Sequence, residues 1–305
     1  MKEVVSVSLG SRRRDHTARA TLLGEEISLE RRGTDGDLEA AHALIRELDG
    51  KVDAIGLGGL DVYLVAGGRR YVVEDGRRLT EEAKVTPVVD GSSIKNTLER
   101  DAVLRLAAMG VIGESTHVLM VSGVDRFGMA EAFARVGCQT IYGDLMFTAG
   151  IPYAVKSLDE LAELARKILP EMSRLPLSML YPQGKAQEVE PVPDPKFAPY
   201  YEEADLIAGD WHLIRKHLPT WLGGKTVLTN TTTKDDVTLL RERGVRTLIT
   251  TTPVIEGRSF GTNVMEGAIV ALSGKRPEEL GEEGFRSYLE RLEAGPTVEI
   301  LEDPA

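Results

Sequence analysis

Val118-Leu119-Met120-Val121-Ser122-Gly123-Val124-Asp125-Arg126-Phe127-Gly128 opens with four apolar residues and breaks into a turn bounded by glycines. A helical pattern follows over Met129–Val136, then a strand over Thr140–Tyr142, then an acid, Asp144, 21 residues past Gly123. Strand, tight turn, helix, strand and acid is the order in which a dinucleotide is held. The phosphates lie on the helix N-terminus and the carboxylate on the ribose hydroxyls. An acid at Asp144 favours NAD over NADP, because it repels the 2′-phosphate. The fingerprint asks for glycine where Asp125 stands, and Arg126 beside it offers a fork to a phosphate. Two other readings stay open. One is a plain βα turn with Asp125 as helix N-cap; the other is an S-adenosylmethionine site, which also takes an acid after the second strand.

Outward from this segment the alternation continues. A helix over about Ser93–Met109 leads in, with Ser92 or Ser93 as its cap. Leu158–Leu169 and Asp235–Arg243 read as helices, and Leu206–Ile207, Val227–Leu228 and Thr247–Ile249 as strands. Strands separated by helices of this length imply βαβ units and a parallel sheet. Upstream, Val4–Leu9 and Ile27–Glu30 read as strands. Leu38, Ala41, Leu44, Ile45 and Leu48 follow at helical spacing, and a strand over Val52–Leu57 ends in Gly58-Gly59-Leu60-Asp61. Val62–Val65 and Arg70–Val73 flank Gly67-Gly68 as a hairpin. Tyr181–Tyr201, rich in proline, is an irregular excursion, and helices over Asn263–Leu272 and Pro277–Leu292 close the chain. The expected fold is α/β: an N-terminal α/β domain (1–92), a Rossmann-like doubly wound parallel-sheet domain (93–255), and C-terminal helices (256–305) returning to the first, with a cleft between the domains.

Composition narrows the function. The 305 residues are 42% hydrophobic and 28% charged, which excludes a disordered or low-complexity chain. No apolar run approaches the ~20 residues of a membrane span. Met1-Lys2-Glu3 runs straight into a strand pattern, so no secretion signal is expected. A net charge of −11 argues against general nucleic-acid binding. The single cysteine, Cys138, fits a reducing cytoplasm. Glutamine and asparagine are scarce beside many charges, as in thermophilic proteins. The three asparagines, Asn96, Asn230 and Asn263, all fall in loops or helix starts, and they are expected to converge on one cleft.

In an open parallel sheet, ligands bind beyond the carboxyl ends of the strands. Thr229-Asn230-Thr231-Thr232-Thr233 and Thr250-Thr251-Thr252-Pro253 follow strands with more hydroxyls than capping requires, so they are expected to line a polar ligand. Arg12-Arg13-Arg14 after the first strand reads either as solvated surface or as a clamp for a carboxylate or phosphate. Lys95 sits in the first turn of a helix, where the dipole disfavours a cation, and a desolvated lysine there suits general acid–base work. The five histidines show no metal-ligand spacing, and no metal is expected. There is neither a phosphate-loop lysine after Gly128 nor a Gly-x-Ser-x-Gly elbow.

Gly261-Thr262-Asn263-Val264-Met265-Glu266-Gly267-Ala268-Ile269-Val270-Ala271-Leu272-Ser273-Gly274-Lys275-Arg276-Pro277 resembles the closing helix of the shikimate and quinate dehydrogenases. The Ser8-Leu9 turn and the Asn96-Thr97 dipeptide before the connecting helix follow the same order. Gly33-Thr34-Asp35-Gly36-Asp37 and Arg258-Ser259-Phe260-Gly261-Thr262-Asn263 are similar to a bacterial group labelled quinate 5-dehydrogenase. The family's Asn-Val-Thr-x-Pro-x-Lys segment is not found, and its Asn-Thr-Asp is here Asn96-Thr97-Leu98. The resemblance implies an NAD-dependent oxidoreductase acting on a small hydroxylated carboxylic acid. Lys95, with Asp101 as second choice, would accept the alcohol proton. Gly123, Asp125, Arg126, Gly128, Asp144, Asn230 and Thr231 would hold the cofactor. Ser8, Arg12, Arg13, Asn96, Thr252, Arg258 and Asn263 would orient the substrate. The alternatives are a non-redox metabolite-binding protein on the same fold and a methyltransferase. The partner expected is a small-molecule substrate, with self-association as a homo-oligomer left open.

Overall fold

A computed structural model describes residues 1–180, 184, 190–252, 254–255 and 258–301, with 254, 255 and 258 described by backbone alone. The chain starts with β1 (Lys2–Ser8), β2 (His16–Leu22) and β3 (Glu25–Gly33). Then come α1 (Leu38–Leu48), β4 (Ala54–Gly58), the hairpin β5 (Tyr63–Ala66) and β6 (Arg69–Val72), α2 (Glu74–Thr80) and β7 (Val88–Val89). The first sheet has the order β2-β3-β1-β4-β7, and only β2 runs antiparallel to its neighbour. β2 was not expected as a strand. Its inward positions are Ala18, Ala20 and Leu22, and alanine carries almost no strand signal.

α3 (Ser92–Ala108) carries the chain across to β8 (His117–Met120), α4 (Phe127–Val136), β9 (Gln139–Tyr142) and α5 (Asp144–Ala149). α6 (Leu158–Met172), α7 (Leu177–Leu180) and α8 (Ala198–Glu203) lead to β10 (Leu206–Ala208), α9 (Trp211–Lys216), β11 (Thr226–Thr229), α10 (Lys234–Glu242) and β12 (Thr247–Thr250). After the short pair β13 (Val254–Ile255) and β14 (Arg258–Ser259) come α11 (Thr262–Ser273), α12 (Pro277–Arg291) and β15 (Thr297–Ile300). The second sheet has the order β15-β12-β11-β10-β8-β9. It is parallel except for β15, so the class is mixed α/β with two parallel-rich sheets. The strand order reverses between β8 and β10, which makes the crevice between their loops the switch point.

Alternation along β8 explains why helices cover both faces. Val118 and Met120 join the core that runs through α3, α4 and the first sheet, while Leu119 and Val121 join the one beneath Trp211, Phe147 and Leu240. α11 packs on β1, β4 and β7 through Val264, Ala268 and Ala271. The C-terminal segment does not act as one unit, because β15 returns to the second sheet and pairs antiparallel with β12.

α3 is capped by Gly91 with no side-chain bond, not by Ser92 or Ser93. Gly91 takes φ +93°, and a Cβ there would come within 2.4 Å of Thr262 Oγ1. Close approach of the α11 start, more than capping, therefore fixes this position. Among the described residues, no helix is long and apolar enough to cross a membrane.

Candidate functional site

The carboxyl ends of the parallel strands of both sheets open into one cleft of about 270 Å³. Ser6 and Ser8 come from β1, Asp61 from the loop after β4 and Asp90 from the end of β7. Ser122–Arg126 follow β8, Asp144 follows β9, Asp210 follows β10 and Asn230 follows β11. α3 enters from one side with Lys95, and α11 from the other with Thr262 and Asn263.

Lys95 is the meeting point. Its ammonium, 7% exposed as a residue, lies 3.2 Å from Asp61 and 2.9 Å from Asp125. Asp61 and Asp125 flank the same ammonium, and the charge on Asp125 favours a proton on Asp61. Burial, against the attraction of Lys95, pushes Asp61 up to about 8, so Asp61 holds that proton near neutrality. Asp125 feels burial too, but Lys95 and Arg126 hold it below the usual carboxylate range. Burial opposes the charge on Lys95, yet the Asp125 and Asp61 carboxylates hold it above the usual lysine range. A lysine base was expected here. The two carboxylates favour the cationic form of the lysine, and Asp61 is the member of the cluster that burial holds above the usual carboxylate range.

Behind this cluster Arg126, with 3% of its side chain exposed, pairs with the fully buried Glu99 and sits 3.0 Å from Asp210. Asp210 Oδ1 in turn caps α9 through the His212 amide, and its own amide donates to Ser122 Oγ at 3.1 Å. An ion-pair network thus lines the switch-point crevice.

The residues expected to hold a cofactor are placed differently from the fingerprint. Gly123 and Val124 donate their amides to the Asp144 carboxylate at 3.0 and 2.8 Å. Burial raises Asp144 to about 6 against those two bonds. Gly128 donates its amide to Asn96 Oδ1 at 2.9 Å, and a Cβ on Gly128 would lie 2.3 Å from the Asn96 carbonyl oxygen. Its missing side chain lets α4 pack against α3; phosphate access plays no part in that. Arg126, not Asp125, is the N-cap of α4 and makes no side-chain cap bond. A pyrophosphate would find the Gly123, Val124, Arg126 and Gly128 amides already taken, and the Asp125 carboxylate in the same turn. The residues present do not fit a dinucleotide in the fingerprint manner.

The substrate residues divide. Asn263 donates to Ser6 Oγ at 2.7 Å, and Ser8 Oγ accepts from Arg31 at 2.9 Å; all four line the cleft. Asn230 and Thr231 line it too. Asn96 does not, being turned to Gly128, so only two of the three asparagines converge there. Thr252 is fully buried and donates to the Asn230 carbonyl at 3.0 Å. Thr250 donates to the Thr252 carbonyl. These hydroxyls serve the loops and not a ligand. Arg12 and Arg13 are exposed outside the cleft, whereas Arg14 lines it. Asp101, on α3, is likewise outside the cleft lining. The Arg258 side chain lies outside the described residues.

Asp61, Arg31, Asp210 and His212 were not singled out for the site. Asp61 ends a strand-terminal glycine loop, and the same rule that selected the loop after β8 selects it. For His212 the signal was its place just after the β10 loop. Among the described residues, no group of three His, Cys, Asp or Glu side chains is placed to share a metal ion.

No curated protein matches the chain. Among solved structures, it is similar to the hetero-hexameric glutamate dehydrogenase from Thermus thermophilus in its Leu-bound form. The identity is 12% over 95% of this chain and 73% of that one, with a TM-score of 0.42. It is also similar to the periplasmic ribose ABC transporter from Conexibacter woesei DSM 14684 (13%, 96% and 97%, 0.36). L-tryptophan dehydrogenase from Nostoc punctiforme is a further likeness (9%, 95% and 80%, 0.34). At scores this low the likenesses decide nothing about function, and the α/β class stands on the two sheets themselves. Residues 3–90 match the family model described as Domain of unknown function (DUF8753). Residues 93–301, more than half of the chain, match the one described as Domain of unknown function (DUF8754), and the chain belongs to that family.

Proposed function

We propose that this protein is an enzyme that moves a proton on a small hydroxylated carboxylic acid held in the cleft. The observation that carries this is the buried Asp61–Lys95–Asp125 cluster on the cleft wall. Asp61, as its carboxylate, accepts the proton from the carbon beside the substrate carboxylate and returns a proton to the same carbon. The fixed Lys95 ammonium stabilises the negative charge left on oxygen. Asp125 stays ionised and keeps Lys95 charged. A cavity of about 270 Å³ is at the small end of ligand pockets, which run roughly 300–1,000 Å³ for drug-sized molecules, so it suits a metabolite better than a whole dinucleotide.

The test is solvent-deuterium exchange at the carbon beside the carboxylate in a panel of 2-hydroxy acids that carry a hydrogen there, malate and lactate among them, followed by proton NMR. Asp61→Asn and Lys95→Met are expected to lower the exchange rate by about 10²-fold or more. The base form of Asp61 is its carboxylate, so the rate is expected to climb with pH through about 8 and level off above it. Exchange that survives Asp61→Asn unchanged sinks the proposal.

An NAD-dependent oxidoreductase is the second reading. The strand-turn-helix-strand order ending at Asp144, a residue of the cleft lining, favours it. Calorimetric titration with NAD⁺, and with NADP⁺ for comparison, separates the two. Micromolar NAD⁺ binding that Asp144→Ala abolishes would put redox chemistry first, and no heat with either nucleotide would remove it.

A further inference from the structure

A buried carboxyl stands behind the Asp61–Lys95 pair without lining the cleft. Glu266, 1% exposed, lies on α11, one helical turn past Asn263. Its Oε2 accepts the Gly91 amide at 2.6 Å. The Gly91 carbonyl in turn accepts the Lys95 amide at 2.8 Å. Two hydrogen bonds therefore run from the Glu266 carboxyl to the backbone of the residue that carries the ammonium. The amides at a helix start need outside partners, because the helix itself supplies none. α3 brings no cap of its own: Gly91 makes no side-chain cap bond, and the first turn holds no acid. In a capping box the third helical residue takes the amide of the cap residue. Here that position is Ile94, and Glu266 does the work from 175 residues away.

Asp90 serves the other member of the pair. Its carboxylate accepts the Val62 amide, next to Asp61, and the Ser92 amide at 3.0 Å. The loop after β4 and the first turn of α3 are thus tied to one side chain. The contact between α3 and α11 leaves little slack, since a Cβ on Gly91 would lie 2.7 Å from the Asn263 backbone nitrogen. Burial and the neighbouring Asp90 push Glu266 up to about 8, so near neutrality it is an uncharged acceptor that glutamine can imitate.

We infer that Glu266 is a positioning residue: from α11 it completes the N-terminus of α3 and so holds the Lys95 ammonium against Asp61. This rests on Asp61 and Lys95 being the working pair of the cleft, as proposed above. Lys95 lies 3.2 Å from Asp61 and 2.9 Å from Asp125, and attraction between buried charges weakens with every added ångström. Misplacement by about 1 Å can slow a positioned reaction by about 10²-fold. The inference also gives the closing helix a task beyond packing. Asn263 and Glu266, three residues apart on one face, grip β1 through Ser6 and α3 through Gly91.

The experiment compares Glu266→Gln with Glu266→Leu and Glu266→Met in the full chain. All three remove the ionisable group, and only Glu266→Gln keeps an oxygen for the Gly91 amide. Two unlike apolar side chains guard against one variant failing to fold. The first readout is the titration of Asp61, followed by carboxyl ¹³C NMR. Lys95 lowers its midpoint of about 8, so an ammonium that retreats raises it. Glu266→Gln is expected to stay within about 0.3 pH units of the unaltered chain, and the two apolar variants to rise by roughly one unit. The second readout is deuterium exchange. Its kcat is expected to fall by about tenfold in the apolar variants, with KM unchanged, and to be restored in Glu266→Gln. The titration needs no turnover. A raised midpoint confined to the apolar variants, in a chain without exchange activity, therefore upholds the positioning role while the acid–base reading falls. The inference is overturned if Glu266→Gln and the apolar variants share one Asp61 midpoint.

Discussion

Two loops meet at Lys95, and they are built in opposite ways. The loop after β8 is tied down by its own half: Asp144 accepts the Gly123 and Val124 amides, Asn96 accepts that of Gly128, and Arg126 is locked to Glu99 and Asp210. The loop after β4 delivers a carboxyl, Asp61, whose charged partner Lys95 comes from the connecting helix. The first loop has the spacing of a motif, and its polar groups are consumed internally. The second has no motif and carries the proton. Spacing identifies where a backbone must turn and pack; chemistry depends on which polar atoms are left over once it has.

The largest expected effect tests whether the β8 loop is truly held from behind. Glu99→Ala leaves Arg126, with 3% of its side chain exposed, short of its buried partner. Breaking a buried pair by removing one member costs about 3–5 kcal/mol. Denaturant unfolding is expected to show that loss, because Asp210, already 28% exposed at its side chain, does not replace a fully enclosed carboxylate. A loss below about 1 kcal/mol, the range of surface pairs, would mean the network is solvated and the comparison is overstated.

Gly128→Ala comes next and separates packing from phosphate binding. The new Cβ would press on the Asn96 backbone, and overpacking of this kind costs about 1–3 kcal/mol. Unfolding is expected to move by that amount while the deuterium exchange of the remaining folded protein persists. A variant of normal stability that has lost nucleotide affinity would restore the fingerprint role of this glycine.

How far the sequence carried depended on whether the relevant partner was close along the chain. The central strands β1, β3, β4 and β8 to β12, the helix α4 and the hairpin followed from local pattern, whereas β2, β7 and β15 did not. Lys95 stood out because a cation in a first helical turn opposes the dipole, and Asn263 because amides are rare here. The partner of Lys95 was not legible, since Asp61 lies 34 residues away in a loop whose only mark is its glycines. Nor did spacing distinguish the three arginines. Residues 12–14 form one 3-10 turn, and only the fold shows that the third of them faces the cleft. Asp144 was found in its expected place with an unexpected task, because the same carboxylate serves a ribose or a loop amide equally well in sequence.

The smallest effect sharpens the comparison between Asp61 and Asp125 directly. Folded Asp61 titrates at about 8, whereas an unfolded aspartate titrates near ~3.9. Between those values the folded state binds a proton that the unfolded state does not. Its contribution to stability is therefore present in full below ~4 and lost as pH rises to about 8. The limiting slope is roughly 1.4 kcal/mol per pH unit for one such group. Glu266, buried beside Asp90 and accepting the Gly91 amide at 2.6 Å, is pushed by burial to about 8 as well and adds a second share. Asp125 is shifted the other way, so its contribution is lost only in acid and is flat over this window. Unfolding measured from pH 6 to ~8 is expected to show stability falling with pH. The fall should flatten in part in Asp61→Asn and again in Glu266→Gln, and remain in Asp125→Asn. If Asp125→Asn removes the slope and Asp61→Asn does not, the proton belongs to the β8 loop, and the assignment of roles between the two loops is reversed.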